Sequence, residues 1–365
     1  IDLTQGINTM TMQTFALTTA RIAKFKGEIL SHAVPQEVLG KAGRQVRFPK
    51  NNSDTYVARR FLPYGAASTN SSTLNQFFAA GTGNRDQTMV AAHVATEGST
   101  VAPDTITPMD VTTVITQYNC LYGFTDKVFD LFEDDIPKAM IQQVGERVAL
   151  VNEMIVYGAL RACTNQYYGG TGTTVATVNG GLTLGLIRKI AKSLQANHAK
   201  PVNSMLKASG SYGTDAVAAG FTVYCHTDLE PDIRDIPGFI PVEKYASGTP
   251  MPFEIGKVER FRFITSPDLP SVQDGGAAIG ATGLSSTTGA NLDVYTLIVT
   301  AQDAWSQIAV RGKDVLDPTY LPPGVKSKSD PHGQRGYAGT IWYKAVSVEN
   351  NGWMAVASVG SKTLS

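Results

Sequence analysis

The stretch DPHGQRGYAGTIWYKAVSVENNGWMAVASV, residues 330–359, is the most specific part of the chain. Its second half predicts two strands, 340–348 and 353–359. Glu349-Asn350-Asn351-Gly352 joins them, and Asn-Gly is a strong hairpin signal because both central residues of the tight turn need positive φ. Working back from this pair, residues 308–311, 295–299, 261–264 and 221–225 are short apolar runs that read as strands. The last runs into Thr227-Asp228-Leu229-Glu230, which fits a capping box opening a helix. Residues 274–292, with Asp274 as their main charge, and 165–181, rich in Gly and Thr, read as surface loops.

Two helices stand out upstream. Residues 182–199 place Leu184, Ile187, Ile190 and Leu194 on one face. Residues 135–162 open with Asp134-Asp135-Ile136-Pro137, acids at the positive end of the dipole and proline in the first turn. Met140, Val144, Val148, Val151 and Ile155 then form one apolar stripe, and Arg161 suits the negative end. At 1.5 Å per residue this helix is roughly 40 Å long. Ahead of it, residues 126–135 carry Asp126, Asp130, Glu133, Asp134 and Asp135 against Lys127 alone.

The first third of the chain is less regular. Residues 1–14 have no period and read as an arm; residues 15–30 are amphipathic, with Phe15, Ile22, Phe25 and Ile29 among Arg21, Lys24 and Lys26. Residues 41–60 alternate as strand–turn–strand around Pro49-Lys50-Asn51-Asn52. Here Lys41, Arg44, Arg47, Lys50, Arg59 and Arg60 stand against a single acid, Asp54. Residues 61–84 hold no charge, and Phe77 and Phe78 are their main apolar content. Such a segment cannot bury enough surface to fold alone, but laid across a neighbouring chain it costs little to desolvate. Residues 105–118, rich in Thr and other β-branched residues, predict one long strand.

The whole chain has 365 residues, enough for two or three structural units. Lys plus Arg is 31 and Asp plus Glu is 31, so the net charge of zero argues against a DNA-coating protein and against an acidic disordered chain. Only 17% of residues are charged, below the usual ~25%. A polar surface meant to be covered by other chains accounts for that. Cys120, Cys163 and Cys225 are far apart and form no CxxC pair, so they read as buried small hydrophobes in a reducing compartment. No apolar run of membrane-spanning length occurs, and the first residues lack the order of a secretory signal, so the expected setting is cytoplasmic.

A search for chemistry finds no G-x-S-x-G, no H-E-x-x-H and no P-loop lysine. The glycines at 81, 83, 169, 170 and 172 lack a following helix start that would make a phosphate cradle. Cys225, His226 and Asp228, with Glu230 and Asp232, are the best metal candidates, but helix capping explains them better. No residue is assigned a catalytic, cofactor-binding or metal-binding role, and no cofactor is expected.

Asp330-Pro331-His332-Gly333-Gln334-Arg335-Gly336, followed by the Trp342 strand and Asn351-Gly352-Trp353-Met354, resembles the end of the major capsid proteins of N4-like tailed phages. That family has a D-P-L-x-Q-R-G segment there, from which His332 departs. Asp303-Ala304-Trp305-Ser306-Gln307-Ile308, followed by Arg311-Gly312, looks like a late segment of HK97-like capsid proteins, and the order of elements matches that fold over nearly the whole chain.

The resemblance implies an α+β HK97-like fold. Its parts would be an N-terminal arm over 1–40, an extended E-loop hairpin over 41–112, a P-domain with the spine helix over 113–180, an A-domain over 181–325, and P-domain return strands over 326–365. It implies hexamers and pentamers forming an icosahedral shell around double-stranded DNA, held non-specifically. Cement or decoration, scaffolding and portal proteins would be further partners, and no membrane would be involved. No fused scaffolding segment is expected ahead of the arm.

Two opposite charge blocks also suggest contacts between subunits. Arg44, Arg47, Arg59 and Arg60 would meet Asp130, Glu133, Asp134 and Asp135 of the next subunit, and Phe77 and Phe78 would lie across a neighbour. The alternatives are a bacterial nanocompartment (encapsulin-like) shell with the same fold, a hydrolase or metal-dependent enzyme built on 225–232, and a head-completion ring protein.

Overall fold

The computed structural model describes residues 34–61, 94–95, 97–98, 106, 108–131, 136–202, 219–245, 250–280, 283–311 and 318–363. The amphipathic segment 15–30, Phe77, Phe78, Glu133, Asp134 and Asp135 lie outside the described residues. The described chain forms two large sheets, a two-stranded ribbon and one long helix that joins them.

The first sheet has five strands: β1 (Arg44–Phe48), β4 (Thr116–Thr125), β11 (Trp305–Val310), β12 (Thr319–Leu321) and β13 (Arg335–Val348). Strand β13 is its axis. It pairs antiparallel with β4 over ten positions, Arg335↔Thr125 to Lys344↔Thr116, and with β11 from Ala345 onward. β1 lies parallel to β11, Arg44 opposite Ser306 and Phe48 opposite Val310. Helix α2 (Ile136–Arg161) packs along one face. Its Met140 meets Phe124 and Ala338, and its Val144 and Val148 meet Cys120 and Trp342. The Trp342 indole donates to the Asn152 amide oxygen at 3.0 Å and stacks on Tyr118.

The second sheet has seven strands in the order β5-β14-β10-β6-β9-β8-β7. They are β5 (Gln166–Tyr168), β6 (Phe221–His226), β7 (Phe239–Pro241), β8 (Glu254–Val258), β9 (Phe261–Ser266), β10 (Val294–Thr300) and β14 (Met354–Gly360). Every residue of β10 and β14 is buried. One face holds Leu297, Val299, Ala357 and Phe263 under helix α3 (Leu184–Ala196), which Thr183 caps by accepting from the Leu186 amide at 3.3 Å. The opposite face holds Ile298, Val356 and Tyr224 against Val156, Tyr157 and Leu160 at the far end of α2. That end explains a difference from the predicted stripe. Val151 and Ile155 are half-buried, while Val156, Tyr157 and Leu160 carry the contact, because here the helix packs on the second sheet and no longer on the first.

Four expectations change for tertiary reasons. The two C-terminal strands exist but are not a hairpin: β13 belongs to the first sheet and β14 to the second. The turn between them is held because the Ala304 carbonyl accepts the amides of Glu349 and Asn350 at 3.0 and 2.9 Å, while Asn350 caps the Gly352 amide. The long strand predicted at 105–118 is two strands, β3 (Pro108–Val114) and β4, broken where the Ile115 amide turns to the Asp54 carbonyl at 2.8 Å. The loop at 165–181 contains edge strand β5, parallel to β14. The capping box at 227–230 does not form; the cap is His226, whose Nδ1 accepts from the Asp228 amide at 3.0 Å.

Candidate functional site

The surfaces open to other chains come from the ribbon and from the first sheet. Strand β2 (Thr55–Phe61) pairs with β3 from Thr55↔Val114 to Phe61↔Pro108. One face of this ribbon exposes Val57, Phe61 and Val114 around a cross-strand pair in which Arg59 donates to both carboxylate oxygens of Asp110, at 2.7 and 2.9 Å. Hydrogen bonding to Arg59 keeps the Asp110 carboxyl below its usual range. A two-stranded ribbon is marginal by itself, and this one leaves its apolar face exposed.

The first sheet has one face covered by α2 and one covered only at the end where Phe48, Ile308 and Ala345 pack together. Phe124, Ala338 and Trp342 lie under the helix. On the other face Leu121, Leu321 and Ile341 are 54%, 51% and 55% exposed. Leu321 sits opposite Tyr337 and Leu121 opposite Gly339, so these side chains share one surface with Ile341.

Among the described residues, Asp130 does not meet Arg44, Arg47, Arg59 or Arg60 within one chain. Arg44 is bound to the Glu349 carboxylate, which also accepts from Ser306 at 2.8 Å. Burial would lower the Arg44 pKa, and the Glu349 contact overcomes it. Arg60 donates to the Glu349 carbonyl at 3.4 Å, and burial pushes its pKa down against the Glu349 charge. Arg59 is held by Asp110. Arg47 lies exposed on β1, and Asp130 lies exposed on the short helix α1 (Asp126–Leu131).

Sequence reasoning missed Glu153. It is buried in the middle of α2 and accepts the amides of Val38, Leu39 and Gly40 at 3.2, 2.8 and 2.7 Å. Burial raises its pKa, and those amides pull it back. This side chain ties the end of the N-terminal segment to the long helix. The apolar period carries no signal for such a contact, because its partners are backbone groups more than 110 residues away.

The 225–232 cluster is occupied by structural contacts. The fully buried Cys225 thiol donates to the Ile264 carbonyl, and burial raises its pKa. Asp228 accepts from the Tyr295 hydroxyl at 2.8 Å, Glu230 pairs with Arg234, and Asp232 accepts from the Lys362 amide at 3.0 Å. Among the described residues no group of three or more His, Cys, Asp or Glu side chains converges in a way that could hold a metal, and no helix is long and apolar enough to cross a membrane.

The tail motif has a physical reading in this setting. Asp330 accepts the Arg335 amide at 3.0 Å, and the carbonyl of Gly333, at φ +68°, accepts the Gly324 amide at 2.7 Å. Gln334 accepts the Asp126 amide at 2.9 Å, joining the start of β13 to α1. A Cβ on Gly336 would sit 2.4 Å from the Phe124 ring, so only glycine lets that ring close the end of the helix–sheet core.

A model of the family described as phage capsid protein matches residues 110–313, from the ribbon through β11 into the segment that follows. The chain belongs to the phage capsid protein family. The major capsid protein of Pseudomonas phage KPP21 is 25% identical over 189 residues, covering 48% of this chain and 47% of that relative, so the match spans about half the relative's length. Three solved capsids share the architecture. That of Ralstonia phage GP4 matches with TM-score 0.62 at 10% identity, covering 97% of this chain and all of that one. The cyanophage Pam1 capsid gives 0.58 at 11%, with 97% and 100% covered, and the cyanophage P-SCSP1u capsid 0.56 at 13%, with 94% of each. The capsid chain thus has the HK97-like fold, with the α+β arrangement that the order of its elements implied. It is a structural protein, not an enzyme.

Proposed function

We propose that the chain is the major capsid protein of an N4-like tailed phage, that its copies form hexamers and pentamers, and that these close into an icosahedral head around double-stranded DNA. Assembly takes place in the host cytoplasm, with portal, scaffolding and cement proteins as partners, and contact with DNA is non-specific. On this reading the β2–β3 ribbon is the stem of the E-loop, the five-stranded sheet with α2 is the P-domain and the seven-stranded sheet with α3 the A-domain, so β11 and β12 leave the A-domain drawn from the sequence and β14 leaves the P-domain return strands. The observation that carries the reading is an architecture shared with phage capsids over 97% of the chain, together with a family match to phage capsid proteins. The open apolar face of the first sheet supports it: Leu121, Leu321 and Ile341 form a patch a monomer would not leave in water. The family and the relatives are phage proteins, which favours DNA over enzyme cargo as the content of the shell.

Negative-stain electron microscopy of the chain, expressed alone and with the neighbouring head genes, tests this. Closed shells tens of nanometres across are expected in the second preparation. Monomers or a single small ring in both would overturn it.

A further inference from the structure

The first sheet carries opposite charges at its two ends. At one end, between the C-terminal half of α2 and the sheet edge, lies a cleft of ≈ 420 Å³ lined by Lys41, Arg47 and Lys344 with Gln45, Asn152 and Trp342. No acidic side chain lines it. Arg47, Ala309 and Lys344 occupy one row across β1, β11 and β13, so Arg47 and Lys344 sit on the same face of the sheet. Lys41, itself exposed, pairs with the half-buried Glu37 at 3.6 Å, and Arg47 also engages its own chain. Lys344 is half-buried and forms no hydrogen bond or ion pair among the described residues; the carboxylates of Glu37 and Glu153 act on it only at longer range. A cation withdrawn from water in this way needs a counter-charge.

At the other end, next to Arg335, helix α1 presents Asp130, which is exposed and has no ion pair among the described residues. Phe129 and Leu131 beside it are 47% and 63% exposed. The chain then continues into Glu133, Asp134 and Asp135. The pairing of β13 with β4 fixes the separation. Nine steps along β13, from Arg335 to Lys344, span roughly 30 Å, so acid and cleft cannot meet within one chain.

We infer that helix α1 of one copy of this chain docks at the Lys41–Arg47–Lys344 cleft of the next, with Asp130 toward the cations and Phe129 and Leu131 as apolar anchors. This rests on the shell reading and refines it. Arg44, Arg59 and Arg60 are held by Glu349 and Asp110 of their own chain, and the cations that receive the neighbour's acids are those of the cleft. A contact joining opposite ends of the same sheet is heterologous, head to tail, and closes into a ring when the rotation between copies allows it. Opposite charges at its two sides set the register and disfavour head-to-head pairing.

Charge reversal tests the contact. Asp130→Lys and Lys41→Glu, both on exposed positions, are made singly and together in the full chain. Sedimentation velocity reads the assembled fraction, and thermal unfolding confirms the fold. Each single reversal is expected to lower the assembled fraction on the order of tenfold, and the double reversal to restore it, since each copy then offers a matched pair. A distance test accompanies it. Asp130→Cys with Arg47→Cys should give a non-reducing ladder of linked chains from purified shells, with little background because Cys120, Cys163 and Cys225 are buried. Assembly by the unaltered chain together with unaffected single reversals, no rescue by the double, or no ladder would reject this contact while leaving the shell reading intact. Failure of the unaltered chain to assemble with its neighbouring head proteins would reject both.

Discussion

The two sheets of this capsid protein are finished to different degrees. In the seven-stranded sheet the central strands β10 and β14 are buried along their whole length, with apolar clusters on both faces, and no large apolar residue of its strands is exposed. In the five-stranded sheet one face is sealed by α2, while the other leaves Leu121, Leu321 and Ile341 half or more exposed. The ribbon extends that open character with Val57, Phe61 and Val114. The first region supplies the subunit's own stability, and on the shell reading proposed above the second is the surface that neighbouring copies cover. Substitutions in the two regions should therefore fail in different assays.

The largest effect is expected in the closed sheet. Ile298→Ala removes a fully buried side chain between β10 and α2 and should cost about 2–5 kcal/mol in urea unfolding. A loss well under 1 kcal/mol would mean the two sheets are equally soft. Next comes Glu153→Ala, which strands the amides of Val38, Leu39 and Gly40 and should cost about 1–3 kcal/mol.

Glu153 also gives a pH signature. Its folded pKa lies above the ordinary 4.5, so between 4.5 and that raised value the folded state binds more protons than the unfolded one. Its contribution to stability therefore falls as pH rises through that window. Glu153→Gln should flatten that slope, and an unchanged slope would assign it to other groups.

On the open face, Ile341→Ser and Leu121→Ser should leave the subunit within about 0.5 kcal/mol, yet lower the yield of closed shells. Normal shells from both would show that this face is solvated in the particle. The smallest effect is expected from Arg59→Ala, because its pair with Asp110 is fully exposed and screened by salt. No shift in the thermal midpoint should appear.

Much of this was legible in the sequence. The stripe Met140, Val144, Val148 gives the long helix, Thr183 ahead of Leu184, Ile187, Ile190 and Leu194 gives α3, and the short apolar runs give β6, β9 and β10. These elements are set by local period and capping, which a single chain segment displays. The uneven charge blocks were also visible; at 225–232 the fold gives His226, Asp228, Glu230 and Asp232 structural partners.

The set of elements, their order and the likeness of the tail motif to a capsid family are readable along the chain, because period, caps and composition are local properties. Tertiary structure alone decided that β13 and β14 part into different sheets across an Asn-Gly turn, and that β1 runs parallel to β11, some 260 residues away. It also decided that Glu153 serves the backbone of 38–40 rather than water, and that Lys344 lies beside Arg47 in a cleft. Each of these depends on which distant strand reaches an unpaired edge or a buried charge first satisfies, and that choice is made by long-range packing and hydrogen-bond closure, not by neighbours in the chain.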